Sequence, residues 1–428
     1  MLRKIAILFI CILSLITFFP IASSAQSSTE LWSKPRRLST EYTFSWFPDI
    51  AVDAIGRVHV VWSSGAPGFD TVSYTFSEDG INWMEPNNIA AIAQGYGSYA
   101  TRPALFIGKS GMMYLIYRAT TMYYSKAYVE VAYSARNWLP GIAINTDQIA
   151  YFSKIVEDSQ GKLHLVYSEN VPSTNCPICF RLYYRQSNDG GMTWSSPLAI
   201  SEEGNGSAKP QLIEDNKGNL YLVWEAGRGG DLGQVTGSIQ INFSYLRPGA
   251  AKWSSPIQLN WANSPGLYPT IGIDGRQKII VAWLDQVNNI VIYRTSNDQG
   301  EKWSLPSVIP GVVGGLGVVA TNLDDYSMAT DNLGNVHLIM VGREQEIELG
   351  TPAATETPGG TGVPTKTPEP TNTPEPAISR KKLSLLHLIW NGIGWSKPIS
   401  IVDYFGDLPE WPRLAIGLGN QLHVVWFV

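Results

Sequence analysis

Residues Pro48 to Trp62 read Pro-Asp-Ile-Ala-Val-Asp-Ala-Ile-Gly-Arg-Val-His-Val-Val-Trp. The pattern is a proline, an apolar stretch, an Asp-x-x-Gly turn at Asp53 to Gly56, then His59-φ-φ-Trp62, with φ apolar. It returns six times without an internal gap. The copies run Pro103–Gly111–Tyr114–Tyr117, Asp158–Gly161–His164–Tyr167, Pro210–Asp215–Gly218–Tyr221–Trp224, Pro269–Asp274–Ile280–Trp283, Asp331–Gly334–His337–Met340 and Pro412–His423–Trp426. From the His59 position the steps are 55, 50, 57, 59, 57 and 86 residues. Self-similarity at a nearly fixed period marks a repeat architecture.

A second module alternates with the first. Trp-x-x-Pro occurs at Trp32–Pro35, Trp83–Pro86, Trp194–Pro197, Trp253–Pro256, Trp303–Pro306 and Trp395–Pro398, with a shortened copy at Trp138–Pro140. Between the modules lie alternating runs such as Arg181–Arg185 and Asn289–Tyr293. Each repeat thus supplies four short strands, A to D, and such units read as propeller blades. The expected fold is all-β, a β-propeller of seven four-stranded blades over residues 26–428. The chain starts with a D element at Trp32 and finishes with an A–B pair at Trp426, so pairing of N- and C-terminal strands is expected to close the ring. The long last step holds residues 350–376, a Thr/Pro-rich tract with seven prolines. That tract cannot build a core and is expected as a disordered, solvated insertion.

Composition agrees. Hydrophobic residues are 44% of the 428, which excludes wholesale disorder. A net charge of −5 excludes the basic footprint of a nucleic-acid binder. Residues 1–25 read as a secretory signal peptide: Arg3 and Lys4, an apolar run from Ile5 to Ala22, then Ser23-Ser24-Ala25. No membrane span is expected after its cleavage, and the expected location is secreted or cell-surface. Cys176 and Cys179 are expected as a local disulfide, because a zinc site would need two further ligands. No metal or other cofactor is expected. His59, His164, His337 and His423 occupy one equivalent repeat position, which ring symmetry would spread apart, so they are expected to pack rather than to ligate.

The C–D turns carry the most specific motif. They read Ser187-Asn-Asp189-Gly-Gly191-Met-Thr-Trp194 and Ser296-Asn-Asp298-Gln-Gly300-Glu-Lys-Trp303, with a shorter relative at Ser77-Glu-Asp79-Gly80-Ile-Asn-Trp83. Asp accepts from turn amides, Gly permits positive φ, and Trp buries a large face. These turns match the Asp-box, and the chain resembles the sialidase (neuraminidase) superfamily of Asp-box, or BNR-repeat, propellers. The resemblance implies a propeller with its boxes away from the active face. In the enzymes of that superfamily it implies three arginines on a substrate carboxylate, an acid/base Asp and a Tyr–Glu nucleophile. The chain departs from the six blades and the Arg-x-Pro motif usual there; its Arg102-Pro103 lacks the intervening residue.

In an A-B-C-D blade the B–C and D–A loops share one face, and function concentrates on such loops. Arg118, Arg228 and Arg343 follow B strands of alternate blades and are the candidate anion clamp. Glu225 and Asp285 are the candidate catalytic carboxylates. Tyr96, Trp261, Tyr404 and Trp411, before A strands, are the candidate ligand-binding aromatics. The reading is a sialidase-like module that binds a glycan or an extracellular protein; the alternative is an exo-α-sialidase-type glycoside hydrolase acting at the central pocket.

Overall fold

The computed structural model describes residues 31–40, 43–66, 69–90, 99–121, 125–145, 148–172, 174, 176, 178–229, 234–315, 323–345, 382–403 and 408–428. The expected signal peptide, the Thr/Pro tract, Tyr96 and Tyr404 lie outside them, and Arg228 is described in its backbone alone. The described residues are all-β, with one short 3-10 turn at Leu418–Asn420 and no helix long and apolar enough to cross a membrane. Strand pairing is antiparallel within each repeat. It gives units of up to four strands, each with an inner strand carrying the proline module.

The inner strands are Phe44–Val52, Tyr99–Ile107, Ala150–Glu157, Ala208–Glu214, Gly266–Ile273, Tyr326–Thr330 and Glu410–Ile416. Each lies against the next, and the last lies against the first. We number the units 1 to 7 in this order. Unit 7 is a hairpin: Glu410–Ile416 pairs with Leu422–Phe427, and that second strand has no other strand partner among the described residues. Residues 31–40 carry no strand, so the expected pairing of terminal strands is not formed there. The reason is local. In units 1 to 4 the short strand after the Trp-x-x-Pro module pairs only with a C strand, as Asn87–Asn88 does with Phe69–Ser77. Unit 7 has no C strand among the described residues to receive one.

The A–B turns explain the Asp-x-x-Gly spacing. Asp53 Oδ1 accepts from the amides of Ile55 (3.1 Å) and Arg57 (2.9 Å), and Gly56 takes φ 91°. Asp158, Asp215, Asp274 and Asp331 repeat these two bonds. In unit 5 Gln277 stands where the glycine belongs and keeps a positive φ of 63°. The two long C–D turns also share one geometry. Ser187 Oγ donates to Asp189 Oδ1 at 2.7 Å and accepts from Gly191 N at 2.9 Å, while Ser296 does the same to Asp298 and Gly300 at 2.8 and 2.9 Å. Trp194 and Trp303 each donate from Nε1 to their glycine carbonyl at 3.1 Å. Hydrogen bonds from Thr193, with one from Ser187, hold the Asp189 carboxyl down to about 2. A Cβ on Gly300 would meet the Phe243 ring of unit 4 at 2.5 Å, so this glycine is fixed by a neighbour as well as by its φ of 90°.

The core lies between units. In one cluster Val129 and Val131 of unit 2 pack with Ile155, Leu163, Leu165 and Trp194 of unit 3. The module tryptophans are the recurrent contact. Trp138 meets Tyr74, Trp253 meets Tyr184, Trp303 meets Phe243 and Trp395 meets Tyr293, each ring edge-on at 4.8 to 5.9 Å to an aromatic of the preceding unit. Such pairs add roughly 0.5–1.5 kcal/mol beyond the area they bury.

The repeated histidines sit inside these sheets. His59 bridges Tyr74 OH (2.7 Å) and Asp53 (3.4 Å), and His164 bridges Tyr184 OH (2.7 Å) and Asp158 (3.2 Å). In unit 6 His387 replaces the tyrosine and meets His337 at 2.9 Å, while His337 reaches Asp331 at 3.3 Å. Burial, and then the neighbouring His337, pushes His387 down to about 3; burial also lowers His59, His164 and His423. An unfolded histidine takes up its proton near pH 6.5, so between that pH and about 3 the unfolded chain binds more protons and stability falls as pH falls. His387 contributes a loss of about 2 kcal/mol by pH 5. Denaturant unfolding at pH 7.5 and 5 is expected to show this loss. His387→Tyr, which restores the pairing of units 1 and 3, is expected to reduce it; an unchanged pH slope would refute the assignment.

Candidate functional site

The inner strands share a bulge. Register slips between Trp46 and Asp49, Thr101 and Ala104, Ala208 and Gln211, Leu267 and Thr270, and Glu410 and Arg413. At the slip Phe47, Arg102, Lys209, Tyr268 and Trp411 take φ of 54° to 55°, and Phe152 takes 50°. L-residues rarely adopt this region, and each costs of the order of 1–2 kcal/mol there. All six stand twelve residues before the His59-type position, where unit 6 has Asp325.

This backbone turns side chains from distant repeats onto one another. The Arg102 guanidinium lies over the rings of Phe47 (4.5 Å), Tyr151 (4.9 Å), Phe152 (4.9 Å) and Trp411 (5.6 Å). Trp411 touches Phe47 edge-on at 5.2 Å and stacks on Phe152 at 5.9 Å. On the other side the Lys209 ammonium lies over Tyr268 at 4.7 Å, and Tyr268 packs on Tyr326 at 5.4 Å. Units 1, 2, 3 and 7 therefore meet at Arg102.

Beside this ring is a small cleft of about 20 Å³, room for about one water, lined by Asp49, Arg102, Phe152, Lys154, Lys209, Gln211, Asp324, Trp411 and Arg413. Its carboxylates are occupied. Asp49 accepts from the amides of Ile50 (3.0 Å) and, across the unit boundary, Leu105 (2.8 Å). Asp324 accepts from Arg413 and Gln211, both at 2.9 Å. Asp325 is fully buried and accepts from Trp411 N at 3.0 Å; burial pushes its carboxyl up, favouring the neutral acid. The Lys154 ammonium makes no hydrogen bond or ion pair among the described residues and keeps some water contact through the cleft. Protein enclosure, with Arg413 next, lowers its ammonium.

The expected site residues divide sharply. Arg118 reaches the cluster: it donates to Ser125 Oγ at 2.9 Å and to Tyr151 OH, and stacks on the Tyr151 ring at 4.7 Å. Arg343 is half-exposed at the end of a unit 6 strand, opposite Val313. The expected three-arginine clamp is not assembled among the described residues, and Arg102, whose Arg-Pro pair lacks the intervening residue of the family motif, occupies the centre of the ring cluster. Glu225 is fully buried, 3.3 Å from Lys209 Nζ, and accepts Tyr268 N at 2.8 Å. It is spent on a core ion pair. Asp285 is also buried and closes its own turn, accepting from Val287 N, Asn288 N and Asn288 Nδ2 at 2.9, 3.1 and 3.1 Å. Trp411 is a wall of the cluster rather than an exposed platform. Trp261 is exposed at 55%. Its loop is pinned by Asn260, which donates to Ile239 O (3.0 Å) and Ser264 O (2.8 Å). Sequence reasoning missed two exposed aromatics, Phe44 and Tyr99, at the same end of their inner strands. Both stand fifteen residues before the His59-type position, and that shared offset was the available signal. Cys176 and Cys179 are bonded to each other. No group of three or more His, Cys, Asp or Glu side chains suited to a metal occurs among the described residues.

Among solved structures, a protein of unknown function from Dyadobacter fermentans is similar at 13% identity and TM-score 0.53, over 71% of this chain and 92% of its own. The GH93 α-L-arabinofuranosidase of Fusarium graminearum, in complex with arabinobiose, is similar at 15% identity and TM-score 0.50, over 72% and 91%. NanB sialidase of Streptococcus pneumoniae aligns at 13% identity and TM-score 0.44, over 91% and 66%. No protein-family model and no curated protein sequence matches the chain. At these identities the likeness reaches the fold, a β-propeller, and stops there.

Breaking one side of the buried pair separates its roles. Glu225→Gln keeps an acceptor for Tyr268 N but strands the Lys209 charge, and is expected to cost about 3–5 kcal/mol. Lys209→Met with Glu225→Gln is expected to cost clearly less than the two single changes summed. A double-mutant unfolding cycle measures the difference, and strict additivity would show that the two charges are not coupled.

Proposed function

We propose that the chain is a seven-bladed, sialidase-like propeller, secreted or held at the cell surface, that binds an acidic glycan at the loop face of its central cleft without hydrolysing it. Ring closure in this reading comes from face-to-face packing of unit 7 on unit 1, because the inner strands at the two ends lie against each other. The cleft lining carries the reading: beside the Lys209–Glu225 and Arg413–Asp324 pairs it holds two further cations, Arg102 and Lys154, against one further carboxylate, Asp49. Such a lining favours an anionic group such as a sugar carboxylate. Glycoside hydrolysis needs two carboxyl groups facing the sugar, and Glu225 and Asp285 are bound to protein donors instead. Phe44, Tyr99 and Trp261 supply exposed faces for sugar rings at the loop end. The apolar N-terminal run and the bonded cysteines fit an oxidising, extracytoplasmic setting.

Calorimetric titration with sialylated, uronic-acid-containing and neutral oligosaccharides tests this. Acidic glycans are expected to bind, with affinity falling at high salt. Lys154→Ala and Trp261→Ala are each expected to weaken binding about tenfold. Affinity is also expected to fall as pH rises through the depressed Lys154 pKa, where the cation is lost. Release of a fluorogenic sialoside by the purified protein would overturn the non-hydrolytic reading, and indifference to glycan charge would overturn the role of the cleft.

A further inference from the structure

Each of units 1 to 6 pairs its B strand with a C strand, whereas the outer edge of Leu422–Phe427 in unit 7 has no strand partner among the described residues. Exposure differs accordingly. All six residues of Leu422–Phe427 are partly exposed, while the B strands Leu163–Asn170 of unit 3 and Ile279–Asp285 of unit 5 are buried throughout. An unpaired edge presents a row of N–H and C=O groups, and an extended backbone laid alongside satisfies them in register. Strand addition of this kind is a recurring mode of peptide recognition.

Two side chains define what that backbone should carry. In unit 1 Tyr74, on the C strand, bonds His59 Nδ1 at 2.7 Å and takes the edge of Trp138, from unit 2, at 5.8 Å. In unit 3 Tyr184 does the same with His164 at 2.7 Å and with Trp253, from unit 4, at 5.6 Å. Each tyrosine stands two residues before the one opposite the histidine, Phe76 for His59 and Gln186 for His164. At unit 7 the flanks of this trio are present without its centre. His423 holds the histidine position, and Trp83 of unit 1 is the tryptophan of the following unit. Trp83 and Val425 of unit 7 pack on one cluster with Val60 and Trp62. Among the described residues His423 makes no hydrogen bond and Trp83 no ring contact. We propose that this edge binds an extended peptide strand of a partner protein, antiparallel to Leu422–Phe427, with a tyrosine two residues before the residue opposite His423. The tyrosine hydroxyl bonds His423 and its ring meets the edge of Trp83. The chain's own sequence does not supply that ring. The tyrosine precedes the Trp-x-x-Pro tryptophan by nine or ten residues, as Tyr74 precedes Trp83 and Tyr184 precedes Trp194. The same count back from Trp32 reaches Ser23 and Ala22, and both are lost if the chain is secreted and cleaved after Ala25.

Fluorescence anisotropy with a labelled synthetic peptide tests the proposal. The probe is the C strand of unit 1 itself, Phe-Asp-Thr-Val-Ser-Tyr-Thr-Phe-Ser, residues 69–77. It is expected to bind the purified protein with a Kd of about 10 μM. Tyr74→Ala in the peptide is expected to weaken binding about tenfold. His423→Ala in the protein is expected to weaken the tyrosine peptide about fivefold and to leave the alanine peptide unchanged, and Trp83→Leu provides a second comparison of the same kind. A peptide methylated on the backbone amides of its pairing edge is expected not to bind. Hydrogen exchange at Leu422–Phe427 is expected to slow about tenfold when the peptide is bound. The proposal fails if the peptide does not bind at about 1 mM, or if the tyrosine and alanine peptides bind equally. It also fails if the edge is already protected without peptide, whether by retained N-terminal residues, seen in the intact mass, or by a second copy, seen in sedimentation. His423→Ala is expected to leave glycan affinity unchanged, so loss of peptide binding and loss of the glycan site are told apart.

Discussion

A four-stranded sheet has two apolar faces and cannot bury either by itself. In this protein the burial is done by the next unit, and the repeated device is a tryptophan set edge-on against an aromatic ring of the sheet before it. Trp303 against Phe243 is the tightest case, at 4.8 Å. The tryptophan is aimed by its own turn: Ser296, Asp298 and Gly300 bond to one another, and the indole then donates to the glycine carbonyl. Gly300 in turn leaves room for Phe243. Turn geometry, ring contact and sheet stacking are therefore one cooperative arrangement, in which stability resides in the boundaries between neighbours more than within any sheet.

The axis obeys a different logic. Where the inner strands meet there is little room for bulk, and the chain fills that space with charges held by aromatic rings and by one another. Lys209 with Glu225 joins two strands of unit 4, and Arg413 of unit 7 pairs with Asp324, which stands just before the inner strand of unit 6. Buried pairs of this kind are weak sources of stability but strict about geometry, since a missing partner leaves an unpaired charge inside protein. They set how the inner strands face the axis.

Legibility followed distance along the chain. The Asp-x-x-Gly and Ser-x-Asp-x-Gly turns are closed by bonds between residues two to four apart, so their spacing announces them. The antiparallel units followed from the alternation between those turns. The axis was opaque for the converse reason. Trp411 bonds to Asp325 across 86 residues, and Lys209 reaches Leu323 across 114. No local pattern shows that Arg102 will be wrapped by rings from three other repeats. Asp285 was ambiguous because a carboxylate that closes a turn and one that awaits a ligand look alike in a string of letters. The unpaired flank of unit 7 was misread because a Trp-x-x-Pro segment is strand-like only where a C strand is there to receive it.

The bulge in the inner strands has an evolutionary consequence. Phe47, Arg102, Phe152, Lys209, Tyr268 and Trp411 share almost the same backbone angles while their side chains have little chemistry in common. The main chain sets only the direction in which these groups leave the strand, so a replacement at any one of them is judged by the neighbours it meets. Lys209 could not be exchanged for an acid without setting two buried carboxylates against each other at Glu225.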